Sequence, residues 1–224
     1  MPTVTMDMVK ELRQRTGAGI MDCKTALNES EGEIEQAIEW IKKKGLAKAA
    51  KRAGAIAAEG VVHAYIHAGS RLGVLVEINC QTDFVARSED FKAFAEAVGL
   101  QIASMSAQFV RRSEVSPAEV DQQRAIFKAQ LAEEAEQSGK KKPDSVIDKI
   151  VDGKLDKWLA EVCLDEQAAV VDGDKTISQM AEELTSKLGE KVAVRRFVRY
   201  ELGEGIEKKS SDLAADVAAA ISGG

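Results

Sequence analysis

Residues 61–80, VVHAYIHAGSRLGVLVEINC, decide the fold class of this chain. Apolar side chains occupy every second position of residues 72–80, and a similar alternation runs through residues 61–67. The residues between these runs, 68–71, suit a tight turn, so the segment predicts a β-hairpin. Two strands alone are rarely stable in water, so another strand or a helix must cover them.

A third strand is predicted at residues 191–202, more than 100 residues further along the chain. Its apolar positions share one parity, which is typical of a strand with one buried face. These positions are Val192, Val194, Val198, Tyr200 and Leu202. Pairing of this strand with the hairpin would make residues 56–205 one domain.

The rest of the chain has helical patterns, so we predict an α+β fold. Residues 4–44 contain three apolar stripes separated by glycine-containing breaks, which predicts three short helices. The basic stretch Lys42–Arg52 is interpreted as a solvated helix or a linker. Apolar stripes, capping boxes and alanine content predict further helices at 91–105, after Ser116, after Thr176, and from about Ser210 to Ile221.

Composition excludes several classes of protein. A chain of 224 residues with 30% charged and 45% hydrophobic residues is long enough for one or two folded domains and is not disordered. A net charge of −6 argues against bulk binding of polyanions. We find neither a long apolar run nor an apolar signal core, so we expect a cytoplasmic protein without a membrane segment.

Cysteines and histidines offer little for metal or imidazole chemistry. Cys23, Cys80 and Cys163 lie far apart without CxxC spacing, which argues against a disulfide framework and a structural zinc site. Core packing is favoured for Cys80, and Cys163 is the one thiol considered for a contact between subunits. His63 and His67 lack an evident third ligand, so exposed strand histidines are favoured. We expect no metal, cofactor or catalytic residue.

The most unusual sequence follows the hairpin: NCQTDFVAR at residues 79–87. Thr82 or Asp83 can cap the next helix, and Phe84 then lies at the start of that helix, off the apolar stripe of residues 91–105. Phe84 either packs inward, as a hydrophobic staple or core residue, or faces a partner. Spacing alone favours the inward interpretation.

Three segments resemble the elongation factor Ts family of bacterial translation factors. Residues 77–87, EINCQTDFVAR, resemble its second signature, and residues 12–27, LRQRTGAGIMDCKTAL, resemble its first. Residues 192–209, VAVRRFVRYELGEGIEKK, resemble its C-terminal end. The resemblance covers nearly the whole chain in the family's order, and it reverses the preference for Phe84 in favour of an outward-facing ring.

The resemblance implies a three-helix module of ubiquitin-associated type, with a basic linker, at residues 1–55 and an α+β core at residues 56–224. Longer members carry a second core subdomain and a helical-hairpin dimerisation insert, so this chain is a short form. Residues 108–170 match the family least and are expected to be a variable helical segment. Gln81 stands where many members have Glu, and Ser88 where many have Asn.

The function that the resemblance implies is guanine nucleotide exchange on elongation factor Tu. By position, Thr82, Asp83, Phe84 and Val85 would form the element that disturbs the magnesium site of the GTPase. Phe84 would wedge between two helices of the GTPase, and Asp83 would help to fix the approach. Magnesium demands near-ideal octahedral geometry, so a small displacement of those helices weakens its binding.

Further contacts are implied for the N-terminal signature. Arg13, Met21 and Lys24 occupy positions that contact the GTPase in relatives, although core packing of Met21 and solvated charges at Arg13 and Lys24 remain alternatives. A homodimer, through a sheet edge or through residues 108–170, would give a two-plus-two complex. No P-loop motif is present in the sequence, so direct nucleotide binding is not expected.

The alternative function is a ribosome- or RNA-binding module. It would use the basic stretch Lys42–Arg52 together with Arg195, Arg196 and Arg199 of the predicted third strand. Such binding would weaken steeply with salt. The low aromatic content and the net acidity speak against it, and the shortage of histidine speaks against a small-molecule enzyme.

Overall fold

The computed structural model describes residues 4–52, 54–139 and 143–206. Its fold is α+β, as predicted. The helices are α1 (Met6–Thr16), α2 (Ile20–Glu29), α3 (Ile34–Arg52), α4 (Asp83–Ala86), α5 (Glu89–Met105), α6 (Pro117–Ser138), α7 (Asp144–Val162) and α8 (Ile177–Leu188). The strands are β1 (Glu59–Ile66), β2 (Leu72–Cys80), β3 (Ala168–Ala169), β4 (Asp172–Thr176) and β5 (Ala193–Glu201). The helix predicted at about 210–221 lies outside the described residues.

The main sheet has three antiparallel strands in the order β1-β2-β5. The predicted hairpin and the predicted third strand are therefore both confirmed. Helix α5 covers one face of the sheet, and Gly99 lets it approach β1 closely, since a Cβ there would come 2.7 Å from Cβ of Tyr65. Phe91, Val98 and Ile102 of this helix are fully buried against the sheet.

The inner and outer faces of the sheet differ from the predicted pattern in both edge strands. On β1, the less apolar set that includes His63 and Tyr65 faces the core, whereas Val62 and Ile66 are exposed. His63 is therefore half-buried and is not the exposed histidine that we predicted. In β5, a bulge opposite the Glu77–Ile78 step shifts the parity, so Val194 faces inward. Beyond the bulge, Val198 and Tyr200 face outward.

The first three helices enclose a core of their own, formed by Val9, Leu12, Cys23, Ala26, Leu27 and Ala37. Gly17 ends α1 in the left-handed conformation with φ 66°, which glycine adopts at low cost. Helix α3 is longer than predicted because the basic stretch at residues 42–52 continues it. This half of α3 packs on α8, where a Cβ at Gly45 would come 2.5 Å from Oγ of Ser186.

Helices α6 and α7 form an antiparallel hairpin within residues 108–170, the segment expected to be variable and helical. A capping box between Ser116 and Glu119 begins α6, as predicted. The seam between the helices buries Leu131, Val151 and Leu155. The segment therefore consists largely of two packed helices.

Glu77 joins β2 to β5 on the outer face of the sheet. Nη1 of Arg195 and Nε of Arg196 each lie 2.7 Å from an oxygen of its carboxylate. Hydrogen bonds from Arg195 and Arg196 lower the pKa of Glu77 from 4.5 to about 2, and the contribution of Arg195 is the largest. The stabilisation from these contacts is therefore present above about pH 4.5 and is lost as the pH falls toward about 2.

We expect Glu77→Gln to lower the urea midpoint of unfolding at neutral pH, because it removes an ionic partner of both arginines. The deficit relative to wild type should shrink as the pH falls from about 4.5 toward about 2, because Glu77 of the unfolded wild-type chain then takes up a proton that the folded state binds only near pH 2. Urea titrations of both proteins at matched pH values measure the difference. A deficit that stays constant with pH would contradict this interpretation.

Candidate functional site

Residues 81–88 form a short corner between β2 and α5. The strand ends at buried Cys80, whose thiol donates to the carbonyl oxygen of Thr82 with Sγ and O 3.1 Å apart. Thr82 is the N-cap residue of α4, and Ser88 caps α5 by accepting a hydrogen bond from the Phe91 amide at 3.3 Å. The Ser88 hydroxyl also donates to the carbonyl oxygen of Val85 at 2.8 Å. Backbone and side chains of the corner are therefore tied to both neighbouring elements.

Phe84 projects from this corner into solvent. Its side chain is 82% exposed, whereas Ala86 is buried and Val85 packs against the main core. The structure therefore excludes the inward-packed Phe84 that spacing alone favoured. Exposed apolar rings on a fixed turn are suited to insert into a groove of another protein.

The flanking polar residues of the corner have defined partners. Asp83 pairs with Arg87 one helical turn later, with Oδ2 and Nη2 2.8 Å apart. Thr82 donates two hydrogen bonds to Glu190, from its amide to Oε2 at 2.9 Å and from its hydroxyl to Oε1 at 2.8 Å. Sequence reasoning missed Glu190, because it lies 108 residues away and no motif marks it.

The N-terminal candidates are exposed on α1 and α2. Met21 is 73% exposed, so it is not a core residue, and Arg13 and Lys24 are also exposed. Met21 and Lys24 are three residues apart and therefore lie on one face of α2. Cys23, between them, points into the core of the three helices.

The C-terminal end of α8 links the N-terminal helices to the corner. Nζ of Lys187 lies 2.6 Å from Oδ1 of Asp90, at the start of α5, and its side-chain stem lies against Gly17. Gly17 is in the turn that precedes Met21. The structure thus places the same end of α8 beside both sets of candidate residues.

The three thiols are free and buried. Burial raises the pKa of Cys23 and of Cys80, and it raises the pKa of Cys163 to about 11. Cys163 has no exposed surface, so the intersubunit contact that we considered for it does not fit this structure. All three behave as small apolar core residues.

The two histidines have different neighbours. Nε2 of His63 lies 3.0 Å from a carboxylate oxygen of Glu96, and Nδ1 of His67 lies 3.1 Å from the hydroxyl of Tyr65. Within the described part of the chain, no cluster of three histidine, cysteine or acidic side chains is arranged to hold a metal ion. Nor does any helix in those residues have the length and apolar character to cross a membrane.

The basic residues of the alternative function do not share one surface. Arg195 and Arg196 are engaged with Glu77, whereas Arg199 is on the inner side of β5 and pairs with Glu201. Lys44 of the basic stretch pairs with Asp22 at 3.2 Å. No feature of the described residues favours RNA binding over protein binding.

Comparisons with known proteins agree with one another. The sequence model of a family described as elongation factor TS matches residues 4–204. The chain is 54% identical to elongation factor Ts of Desulforamulus reducens over 221 residues, which is 99% of each chain. It is 52% identical to that of Carboxydothermus hydrogenoformans, over 97% of this chain and 98% of the relative. With elongation factor Ts of Geobacter sulfurreducens the identity is 50%, with the same coverage. The chain therefore belongs to the elongation factor Ts family.

Proposed function

We propose that this chain is a cytoplasmic guanine nucleotide exchange factor for elongation factor Tu. Membership of the elongation factor Ts family supports the partner. The observation that carries the mechanism is the exposed Phe84 ring on a turn whose other apolar residues are anchored in the core. The factor acts by binding alone, without a cofactor or catalytic residues of its own.

The Phe84 ring acts as a wedge between two helices of the GTPase, close to its magnesium site. Magnesium bridges the phosphate oxygens and supplies much of the local charge complementarity. Burial of a phenylalanine ring contributes about 1.5–3 kcal/mol, which is enough to drive a small displacement of those helices. Asp83, held by Arg87, fixes the approach of the turn. Thr82 and Val85 hold the turn on the factor.

A second contact region is required by the energetics. Weakening GDP binding a thousandfold needs about 4 kcal/mol, more than one ring supplies. Arg13, Met21 and Lys24 are exposed in the N-terminal helices and provide this second region. By reciprocity, the factor weakens GDP binding as much as GDP weakens binding of the factor.

Co-purification of the chain with elongation factor Tu tests the proposal. We expect a stable complex with the nucleotide-free GTPase and dissociation of that complex by excess GDP with magnesium, because the two ligands oppose each other. A complex that survives saturating GDP without loss of affinity would contradict an exchange function, and so would the lack of any complex.

We also propose that the factor forms a homodimer through the outer face of the main sheet. This face carries Val62, Ala64, Ile66, Leu75, Val198 and Tyr200, most of them exposed. Its acidic residue, Glu77, is paired with Arg195 and Arg196, so its carboxylate would not enter the interface unpaired. Two such sheets would pack face to face about 10 Å apart and give the two-plus-two complex.

Leu75 is the central residue of this face, between Ala64 on β1 and Val198 on β5. We expect Leu75→Asp to convert the dimer into a monomer, since it would bury an unpaired carboxylate in an apolar interface. Val171→Asp, at an exposed apolar position between β3 and β4, is the matched control and leaves the dimer intact. Sedimentation velocity distinguishes the two states, and a monomeric wild-type chain would refute the dimer.

A further inference from the structure

We propose that Glu190 is a positioning residue for nucleotide exchange: through Thr82 it fixes the direction in which Phe84 leaves the protein. The proposal rests on the exchange function proposed above. Glu190 is half-buried in the connection between α8 and β5. One carboxylate oxygen accepts from the Thr82 amide at 2.9 Å and the other from the Thr82 hydroxyl at 2.8 Å. Glu190 thus holds Thr82, the N-cap residue of α4, through two hydrogen bonds.

Helix α4 needs such a tether because it is only four residues long. One turn of helix has little stability of its own, since nucleation costs more than the few hydrogen bonds return. The hydroxyl of an N-cap threonine usually accepts from the first turn of its helix. Here the Thr82 side chain does not cap the helix, and its hydroxyl group donates a hydrogen bond to Glu190 instead. The orientation of the α4 turn is therefore set by Glu190, which lies outside the helix.

Glu190 is itself fixed on both sides by one buried residue, Thr185. Gly189 ends α8 with φ 77°, and its amide donates to the carbonyl oxygen of Thr185 at 3.0 Å. Beyond Glu190, the amide of Val192 donates to the Thr185 hydroxyl at 3.0 Å. The carboxylate therefore has a defined position before any partner binds, which reduces the cost of ordering the turn in the complex.

The same connection fixes the corner relative to the N-terminal helices. The amide of Lys191 donates to Oε1 of Gln81 at 3.0 Å, and its ammonium group donates to the carbonyl oxygen of Ala55 at 3.2 Å. The amide oxygen of Gln81 supplies the acceptor that this contact needs. Residues 187–191 therefore set the geometry between both proposed contact regions.

Stopped-flow release of fluorescent GDP from elongation factor Tu, over a range of factor concentrations, gives a maximal rate and a half-saturating concentration. We expect Glu190→Ala to lower the maximal rate about tenfold, the value of hydrogen bonds to a charged group. The half-saturating concentration should change less than about threefold, because the N-terminal contacts remain. Glu182→Ala, at an exposed position of α8, is the matched control and changes neither quantity.

Variants of Thr82 identify the contact responsible. Thr82→Val removes the hydroxyl donor and should lower the maximal rate, whereas Thr82→Ser should restore it. The double variant Thr82→Val with Glu190→Ala should be no slower than Glu190→Ala alone, because both substitutions remove the same interaction. Independent, multiplicative losses in the double variant would overturn the proposal.

Hydrogen exchange of the free protein provides a readout that does not depend on activity. In Glu190→Ala the Thr82 amide should lose protection, while the amides of Val76 and Ile78 in β2 keep theirs. Loss of protection throughout the sheet would show a role in folding alone and overturn the proposal. A maximal rate within about twofold of wild type would also overturn it. If the wild-type chain itself fails to accelerate GDP release, the exchange function is refuted, and the positioning role with it.

Discussion

Phe84→Ala is expected to slow factor-stimulated release of GDP from elongation factor Tu by about 30-fold or more, the loss typical of a binding hot spot of about 2 kcal/mol. The ring is exposed in the free protein, so its removal leaves no cavity in the core. The free energy of unfolding should therefore change by less than about 0.5 kcal/mol. Stopped-flow fluorescence measures the rate, and urea denaturation measures the stability.

The control for this prediction is another exposed apolar residue outside the corner. Val171→Ala, between β3 and β4, should leave both the exchange rate and the stability unchanged. Unchanged exchange by Phe84→Ala would remove Phe84 from the mechanism. A large loss of stability in that variant would contradict the exposed position of the ring.

Phe91→Ala, in contrast to Phe84→Ala, is expected to destabilise the fold, with a loss of about 3–5 kcal/mol in the free energy of unfolding. Phe91 is fully buried seven residues after Phe84, at the first turn of α5, and packs in the core between α5 and the sheet. Removal of its ring leaves a cavity that the surrounding side chains fill only in part. A loss of this size is a large fraction of the stability of a small domain.

Phe91→Leu tests whether the loss of stability comes from the cavity, because leucine keeps most of the buried apolar volume. We expect this variant to lose markedly less stability than Phe91→Ala and, where it is folded, to retain exchange activity. Urea denaturation of both variants provides the comparison. Equal losses for leucine and alanine would show that Phe91 is not a tightly packed core residue.

Local patterns in the sequence were sufficient to predict the fold class. The alternation in residues 72–80 predicted β2 and its inward face, and the capping boxes at Ser116 and Thr176 marked the starts of α6 and α8. These signals are local, because a strand or a helix start is set by residues a few positions apart.

Features that depend on distant partners were not predicted. The bulge at Arg195 lets two consecutive arginines both bind Glu77 across the strands, and it reverses the face of Val198 and Tyr200. On β1, alternation separated two sets of residues, and the expectation that the histidines are exposed was wrong for His63. The structure places the set with His63 and Tyr65 toward α5, where Gly99 permits a close approach.

The sequence identified Phe84 as a candidate site residue but did not identify Glu190. The spacing of Phe84 left its direction open, and only the family resemblance favoured an outward ring. Glu190 could not be found from the sequence, because a single glutamate after a helix-ending glycine is common and its partner lies on another element. Long-range side-chain contacts of this kind need the folded structure to bring their members together.

The proposed exchange function requires one molecule of this chain to release GDP from many molecules of elongation factor Tu in turn. The most direct measurement is the rate of fluorescent GDP release from a large excess of elongation factor Tu, with unlabelled nucleotide present to prevent rebinding. We expect a substoichiometric amount of the wild-type chain to release GDP from the whole GTPase population, at a rate proportional to the concentration of the chain. A release rate that stays at its spontaneous value at every concentration of the chain would contradict it.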